Sequence, residues 1–239
     1  MDTLTSSSYG IISTYWAQFF GLGQAALAKA GRLVVPHAGL DDYPGMWFFR
    51  RGALLIISVP PVLLEHYRAA DDCSWADPLA GLHAPPLRQI GPAWIGYTDR
   101  STLRSLVHNE ARRLTEDDQP AWHVFQAACD QQEWEHGGSD WAPERLVGCF
   151  RNGRLVALAG YEIWGGAIAH IAVVTHPLER GRGYGRQVVE RLASAALERG
   201  LIAQYRTLSA NAASLQIGWE LGFVTYAETI AVRFADATA

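Results

Sequence analysis

The segment Ile171-Ala-Val-Val-Thr-His-Pro-Leu-Glu-Arg-Gly-Arg-Gly-Tyr-Gly-Arg186 decides how the rest of the chain is read. An apolar run of strand character passes into a proline loop, then into a glycine-rich turn that opens a helix. Gly181, Gly183 and Gly185 let backbone amides approach a ligand with no Cβ in the way. Those amides and the first turn of the helix form a site for an anion. The helix dipole supplies only about 0.3–1 kcal/mol per exposed charge, so converging amides must provide most of the affinity. Arg180, Arg182 and Arg186 add positive charge, and a phosphorylated cofactor is the natural guest. No Gly-Lys-Ser/Thr follows, the glycine spacing departs from GxGxxG, and no acid closes the next strand, so two common nucleotide loops are set aside. The plainer alternative is a turn with solvated arginines.

Around this segment the pattern is regular. Leu146–Phe150, Arg154–Trp164 and Ala167–Thr175 read as strands, with Asn152-Gly153 and Gly165-Gly166 supplying two-residue hairpin turns. Gly183–Arg199 reads as an amphipathic helix, Ile202–Leu208 as a strand, Asn211–Leu221 as a helix and Thr229–Phe234 as a last strand. Upstream, Glu110–Leu114 is strand-like. A helix is expected from about Asp117 to Gln131, with Trp122, Phe125, Ala128 and Cys129 on one stripe. These elements predict an α/β (α+β) fold with a mixed, mostly antiparallel central sheet flanked by helices.

The first hundred residues are less regular. Helix is expected between about Tyr9 and Ala30, interrupted at Gly21-Leu22-Gly23, followed by strands Met46–Arg50 and Ala53–Val59 around an Arg51-Gly52 turn. Val62–Ala70 reads as a short helix, Asp71–Pro92 as a long loop and Ala93–Tyr97 as one more strand. Trp16, Trp47, Trp75 and Trp94 are read as core rather than as an aromatic cage. The expected division is a smaller α/β region over residues 1–100 and a second domain over 101–239.

The chain has 239 residues, 49% of them hydrophobic and 18% charged, with a net charge of −4. It can bury a substantial core, and its charge does not point to nucleic acid or an anionic membrane. Three widely spaced cysteines without a CxxC pair point to a reducing compartment and argue against a disulfide framework or a cysteine zinc site. No N-terminal stretch has the form of a leader or a span. A cytoplasmic location without membrane or metal is the expectation.

Arg180-x-x-Gly183-x-Gly185, after a Val-x-Thr-x-Pro strand end, resembles the acetyl-CoA loop of the GNAT (Gcn5-related N-acetyltransferase) superfamily. Asn211-Ala-Ala-Ser214 followed by Leu221-Gly222-Phe223 resembles that family's second block, and the likeness covers roughly Asn109 to Phe234. Gln204-Tyr205-Arg206 and the Leu-Gly-Phe ending are similar to the FR47-like branch. The resemblance implies acetyl-CoA as co-substrate and transfer of its acetyl group to a primary amine of a small molecule or peptide. It implies that Val173 and Val174 hold the pantetheine arm through their backbones. Arg180, Gly181, Arg182, Gly183, Tyr184, Gly185 and Arg186 would cradle the pyrophosphate. Asn211 and Ser214 would touch the pantetheine or phosphate end, although both residue types also favour helix capping. The resemblance allows a homodimer, and residues 1–100 could be a degenerate half of the same kind.

Direct transfer needs a neutral amine, and deprotonating a lysine-like amine of pKa ~10.4 at pH 7 costs roughly 4–5 kcal/mol. With a two-residue turn at Gly165-Gly166, Glu162 lies across from Ala169 and shares the face of Ile171 and Val173. The family often carries its catalytic carboxylate on that face; Glu162 becomes the candidate base and Val173 N–H the candidate oxyanion donor. His170, on the opposite face, is read as a core histidine. The family's usual tyrosine acid is replaced by Gly218, which leaves Tyr205, Tyr226 or water as the acid. That departure keeps open a non-catalytic acyl-CoA sensor or a partner-binding module.

Overall fold

The computed structural model describes residues 3–41, 43–70, 73–82 and 86–234. Their elements are α1 Ser6–Phe19, β1 Gly31–Pro36, β2 Gly45–Arg51, β3 Leu54–Val59, α2 Leu64–Ala69 and β4 Pro86–Thr98. Then follow β5 Arg112–Arg113, α3 Gln119–Ala128, α4 Gln131–Gly137, β6 Leu146–Arg151, β7 Arg154–Trp164 and β8 Ile168–Thr175. The chain closes with α5 Tyr184–Glu198, β9 Ile202–Leu208, α6 Ala212–Glu220 and β10 Val224–Phe234. The described residues group into two compact units: 3–5, Gly96–Arg206 and Ala212–Val224 form the first, and those within Ser6–Ile95, Thr207–Asn211 and 225–234 the second. No helix among the described residues is long and apolar enough to cross a membrane.

In the second unit the strand order is β1-β3-β2-β10-β4. Side chains alternate across β2, so it buries two sets of residues. Met46 and Phe48 pack with Ile57, Val59, Ile230 and Val232 on one face. Trp47 and Phe49 meet the α1 aromatics on the other, with Trp16 at 4.8 Å from Phe49 and Phe19 at 4.7 Å from Trp47 between ring centroids. Trp16, Trp47 and Trp94 are buried core, and Trp75 lies under the Arg50 guanidinium at 4.3 Å. Two expectations change here. The hairpin turns at Gly52-Ala53, because Arg51 still pairs with Leu54 and Gly52 takes the positive φ of 56°. Residues 86–92, expected as loop, belong to β4; residues 71, 72 and 83–85 lie outside the described ones.

In the first unit the order is β9-β8-β7-β6-β5, antiparallel except for the parallel β8–β9 pair. Helix α5 covers the face of Ala157, Tyr161 and Thr175: Arg199 donates to the Tyr161 hydroxyl at 2.9 Å, and a Cβ on Gly185 would stand 3.0 Å from Thr175 Oγ1. Trp122 and Phe125 of α3 pack on Leu158 and Val174 of the opposite face. The single helix expected from about Asp117 is interrupted after Ala128, where Cys129 is extended and the Asp130 carboxylate accepts from the amides of Gln132 and Glu133 to start α4. Ala128 is exposed rather than part of the buried stripe. Only Arg112–Arg113 of the strand expected near Glu110 pairs with β6.

Candidate active site

Strand β8 is paired on both sides for only half its length. All of Ile168–Thr175 pairs with β7, but the ladder to β9 stops at Ile171↔Tyr205. His176 donates to the Val156 carbonyl. Bonded pairs alternate along an antiparallel ladder, so the backbone groups of Val174 point to Leu158 and those of Val173 and Thr175 point to the open edge. Among the described residues, no strand pairs with Val173 on that edge. Val174 is corrected: its backbone is used by β7 and its side chain joins the core with Leu158 and Phe125. Gly137, at the end of α4, closes on this edge, since a Cβ there would lie 2.6 Å from the Val173 carbonyl oxygen.

The loop after β8 carries its glycines in the left-handed region, Gly181 at φ 74° and Gly183 at φ 81°, with nothing within 4 Å of where their Cβ atoms would be. Gly183 precedes α5, and no side chain caps that helix. The first-turn amides of Tyr184, Gly185 and Arg186 thus face the loop without an intrahelical acceptor, which is what an anion needs. The arginines are held by carboxylates: Arg180 by Glu133 at 2.6 and 2.8 Å, Arg182 by Glu179 at 2.9 Å, and Arg186 by Glu220. All three pairs are at least partly open to solvent, which weakens them as restraints on the arginines.

The acid–base side differs from expectation. The β7–β8 turn has three residues, Gly165-Gly166-Ala167, because Ala167 donates back to Trp164 and Trp164 pairs with Ile168. A one-residue change of register moves every side chain to the other face. Glu162 consequently lies opposite His170 and not Ala169, and it leaves the face of Ile171 and Val173. Both residues belong to the α3–α4 side. There the Trp164 indole stacks on the His170 ring, centroids 3.8 Å apart and planes 14° apart, and donates to Glu162 Oε2 at 3.2 Å. His170 Nδ1 meets Gln204 Oε1 at 2.7 Å, and Gln204 Nε2 donates to the hydroxyl of buried Tyr97. Burial pushes the His170 imidazole down to about 4, opposed by the Gln204 hydrogen bond and by Glu162 and aided by Arg206. Sequence reasoning missed Trp164, Gln204 and Tyr97. Their apolar neighbours and long sequence separation left only one signal, a polar residue at the centre of the β9 strand.

Ser214 bonds to the Tyr205 hydroxyl, and Tyr205 is buried with its phenol pushed up to about 12 by desolvation. Neither group is free for a thiolate in this arrangement. Tyr226, in the second unit, contacts the Ser13 hydroxyl at 3.3 Å and lies under the Arg51 guanidinium. Gly218 is buried in α6. Asn211 directly precedes α6, with its amide donating to the Leu208 carbonyl, and it groups with the second unit. Among the described residues, no three His, Cys, Asp or Glu side chains are placed to hold a metal.

Residues 111–223, just under half of the chain, match the model of the acetyltransferase (GNAT) family. Solved structures of that fold resemble the chain. A GNAT-family acetyltransferase from Colwellia psychrerythraea shares 17% identity at a TM-score of 0.51, covering 79% of this chain and 65% of that one. A GNAT-family protein from Novosphingobium aromaticivorans shares 22% identity at a TM-score of 0.48, covering 62% and 66%. The yncA protein of Salmonella typhimurium, solved with its cofactor acetyl-CoA, shares 16% identity at 0.39, covering 54% and 95%. The chain thus spans about two thirds of the length of the first two. No curated protein is similar enough in sequence to count as a relative. The GNAT fold expected from the strand–loop–helix segment is the fold observed.

Proposed function

We propose that the protein is an acetyl-CoA-dependent N-acetyltransferase that transfers the acetyl group directly to a primary amine of a small molecule or peptide. The observation that carries this reading is the half-open edge of β8, which leads straight into the uncapped, glycine-lined start of α5. Acetyl-CoA fits these features. Its pantetheine would extend along the Val173 and Thr175 backbone groups, and its diphosphate would meet the amides from Gly181 to Arg186. The thioester supplies the activated acetyl group. The Val173 amide polarises its carbonyl. Glu162, exposed on the α3–α4 face, is the candidate carboxylate for the acceptor's proton.

Gly218, in place of the usual tyrosine acid, favours a second reading as an acyl-CoA sensor without turnover. Thiol release from acetyl-CoA with a panel of primary amines separates the two. An enzyme turns over and loses activity on Glu162→Gln while still binding acetyl-CoA; a sensor binds without release.

A further inference from the structure

Strand alternation sends Trp47, Phe49 and Arg51 to one side of β2, and Phe48 and Arg50 to the other. Arg50 is paired there with Glu228. Arg51 instead ends a row of aromatics, its guanidinium 4.4 Å from the centre of the Tyr226 ring, whose hydroxyl meets Ser13 of α1. The chain on that side offers no counter-charge, because no residue from Ser6 to Ala28 is charged. The first charge after it is Lys29, the only lysine of the sequence. Among the described residues, neither Arg51 nor Lys29 meets a carboxylate. Both cations line one cleft of about 550 Å³, within the roughly 300–1,000 Å³ typical of small-molecule sites. It runs between α1, the 3₁₀ turn Gln24–Ala28 and the β2–β3 turn, and no carboxylate is among its lining residues. Ser13 and Gln24 add polar groups, and the turn amides of Gly52 and Ala53 donate to no backbone carbonyl among the described residues. The rest of the lining is apolar: Leu27 and Leu54, both buried, and three alanines. Such a cleft concentrates positive potential even in a chain of net charge −4.

We propose that this cleft is a binding site for a small organic acid, a carboxylate carrying a short alkyl tail. The Arg51 fork matches a carboxylate through two parallel N–H···O bonds, and Lys29 supplies a second charge on a flexible stem. Stacking on Tyr226 restricts the guanidinium in advance, so less side-chain freedom is lost on binding. The leucines and alanines take the alkyl tail, whose transfer from water adds to the ionic contact. An inorganic anion leaves those apolar groups unused, and a cationic ligand meets two like charges. The inference is independent of the acetyltransferase reading, since every lining residue belongs to the second unit.

The test is calorimetric titration of the full chain at pH 7 with hexanoate, acetate, inorganic phosphate and n-hexylamine. Hexanoate should bind with a submillimolar dissociation constant. Acetate, which lacks the tail, and phosphate should bind at least about tenfold more weakly, and n-hexylamine should not bind. Arg51→Gln should weaken hexanoate at least about tenfold, and Lys29→Gln, at an exposed position, at least about threefold. Arg154→Gln removes an exposed arginine of β7 and should leave hexanoate affinity unchanged. Hexanoate bound no better than phosphate, weakened as much by Arg154→Gln as by Arg51→Gln, or not bound at millimolar concentration overturns the inference. If Arg51→Gln does not fold, the ligand series and Lys29→Gln still decide it: equal affinities for hexanoate and acetate, or a Lys29→Gln variant that binds as wild type, overturn it as well.

Discussion

Trp164 and His170, six residues apart across a three-residue turn, face each other with ring centroids at 3.8 Å and a 14° angle between planes. The stack buries an imidazole that also spends one nitrogen on Gln204, and the neutral ring is the result. A histidine whose folded pKa is lowered to about 4 from 6.5 binds its proton more readily in the unfolded chain. Stability is therefore full above about pH 6.5 and falls with pH through that window, reaching its floor near pH 4. Melting curves from pH 7 to 4 should show wild type losing on the order of 3 kcal/mol more than His170→Gln. Parallel curves for the two proteins would contradict the neutral ring.

Asp118 works in the opposite direction. Arg112 grips both its oxygens at 2.7 Å, and the Thr115 amide donates to it at 2.8 Å, which holds the carboxyl at about 2. Its folded pKa is lowered, so its stabilisation is present above the ordinary value of 3.8 and disappears as pH falls toward 2. Asp118→Asn should cost about 2 kcal/mol in urea unfolding at pH 7 and much less near pH 2. An equal cost at both values would show that the ion pair is not the source.

Gly137 packs against the β8 edge, where a Cβ would stand 2.6 Å from the Val173 carbonyl oxygen and 3.1 Å from Val174 Cγ2. Gly137→Ala should destabilise by about 1–3 kcal/mol. It should also weaken acetyl-CoA binding, because Val173 has to move. Calorimetry on the folded variant checks the second effect; unchanged affinity would separate Val173 from the cofactor.

Gly183→Ala meets no atom, so its cost is the left-handed backbone alone, roughly 1–2 kcal/mol. The helix start should shift, and acetyl-CoA affinity should fall by more than the melting temperature suggests. A variant with unchanged affinity would argue against the amides as the diphosphate site.

Much of this fold was legible from local chemistry. Asn152-Gly153 demands a two-residue turn, and it forms one with φ of 50° and 75°, so β6, β7 and their pairing follow. Gly165-Gly166 carries the same signal, but Ala167 fits equally well as strand or turn, and that one residue moved Glu162 to the other face. The first half of β4 was hidden, although Ala93–Tyr97 read as strand, because Gly91 and Pro92 sit inside it and read as punctuation. The glycine loop was visible because its function is written in backbone freedom. The His170 environment was not, since Tyr97 and Gln204 meet across more than a hundred residues of chain.

The most direct measurement is a calorimetric titration of the whole protein with acetyl-CoA and with CoA. Micromolar binding of both, lost when Arg180 and Arg182 are reversed to glutamate, is the predicted result. A folded protein that binds neither at millimolar concentration would contradict the acetyltransferase reading and leave the loop as a structural turn alone.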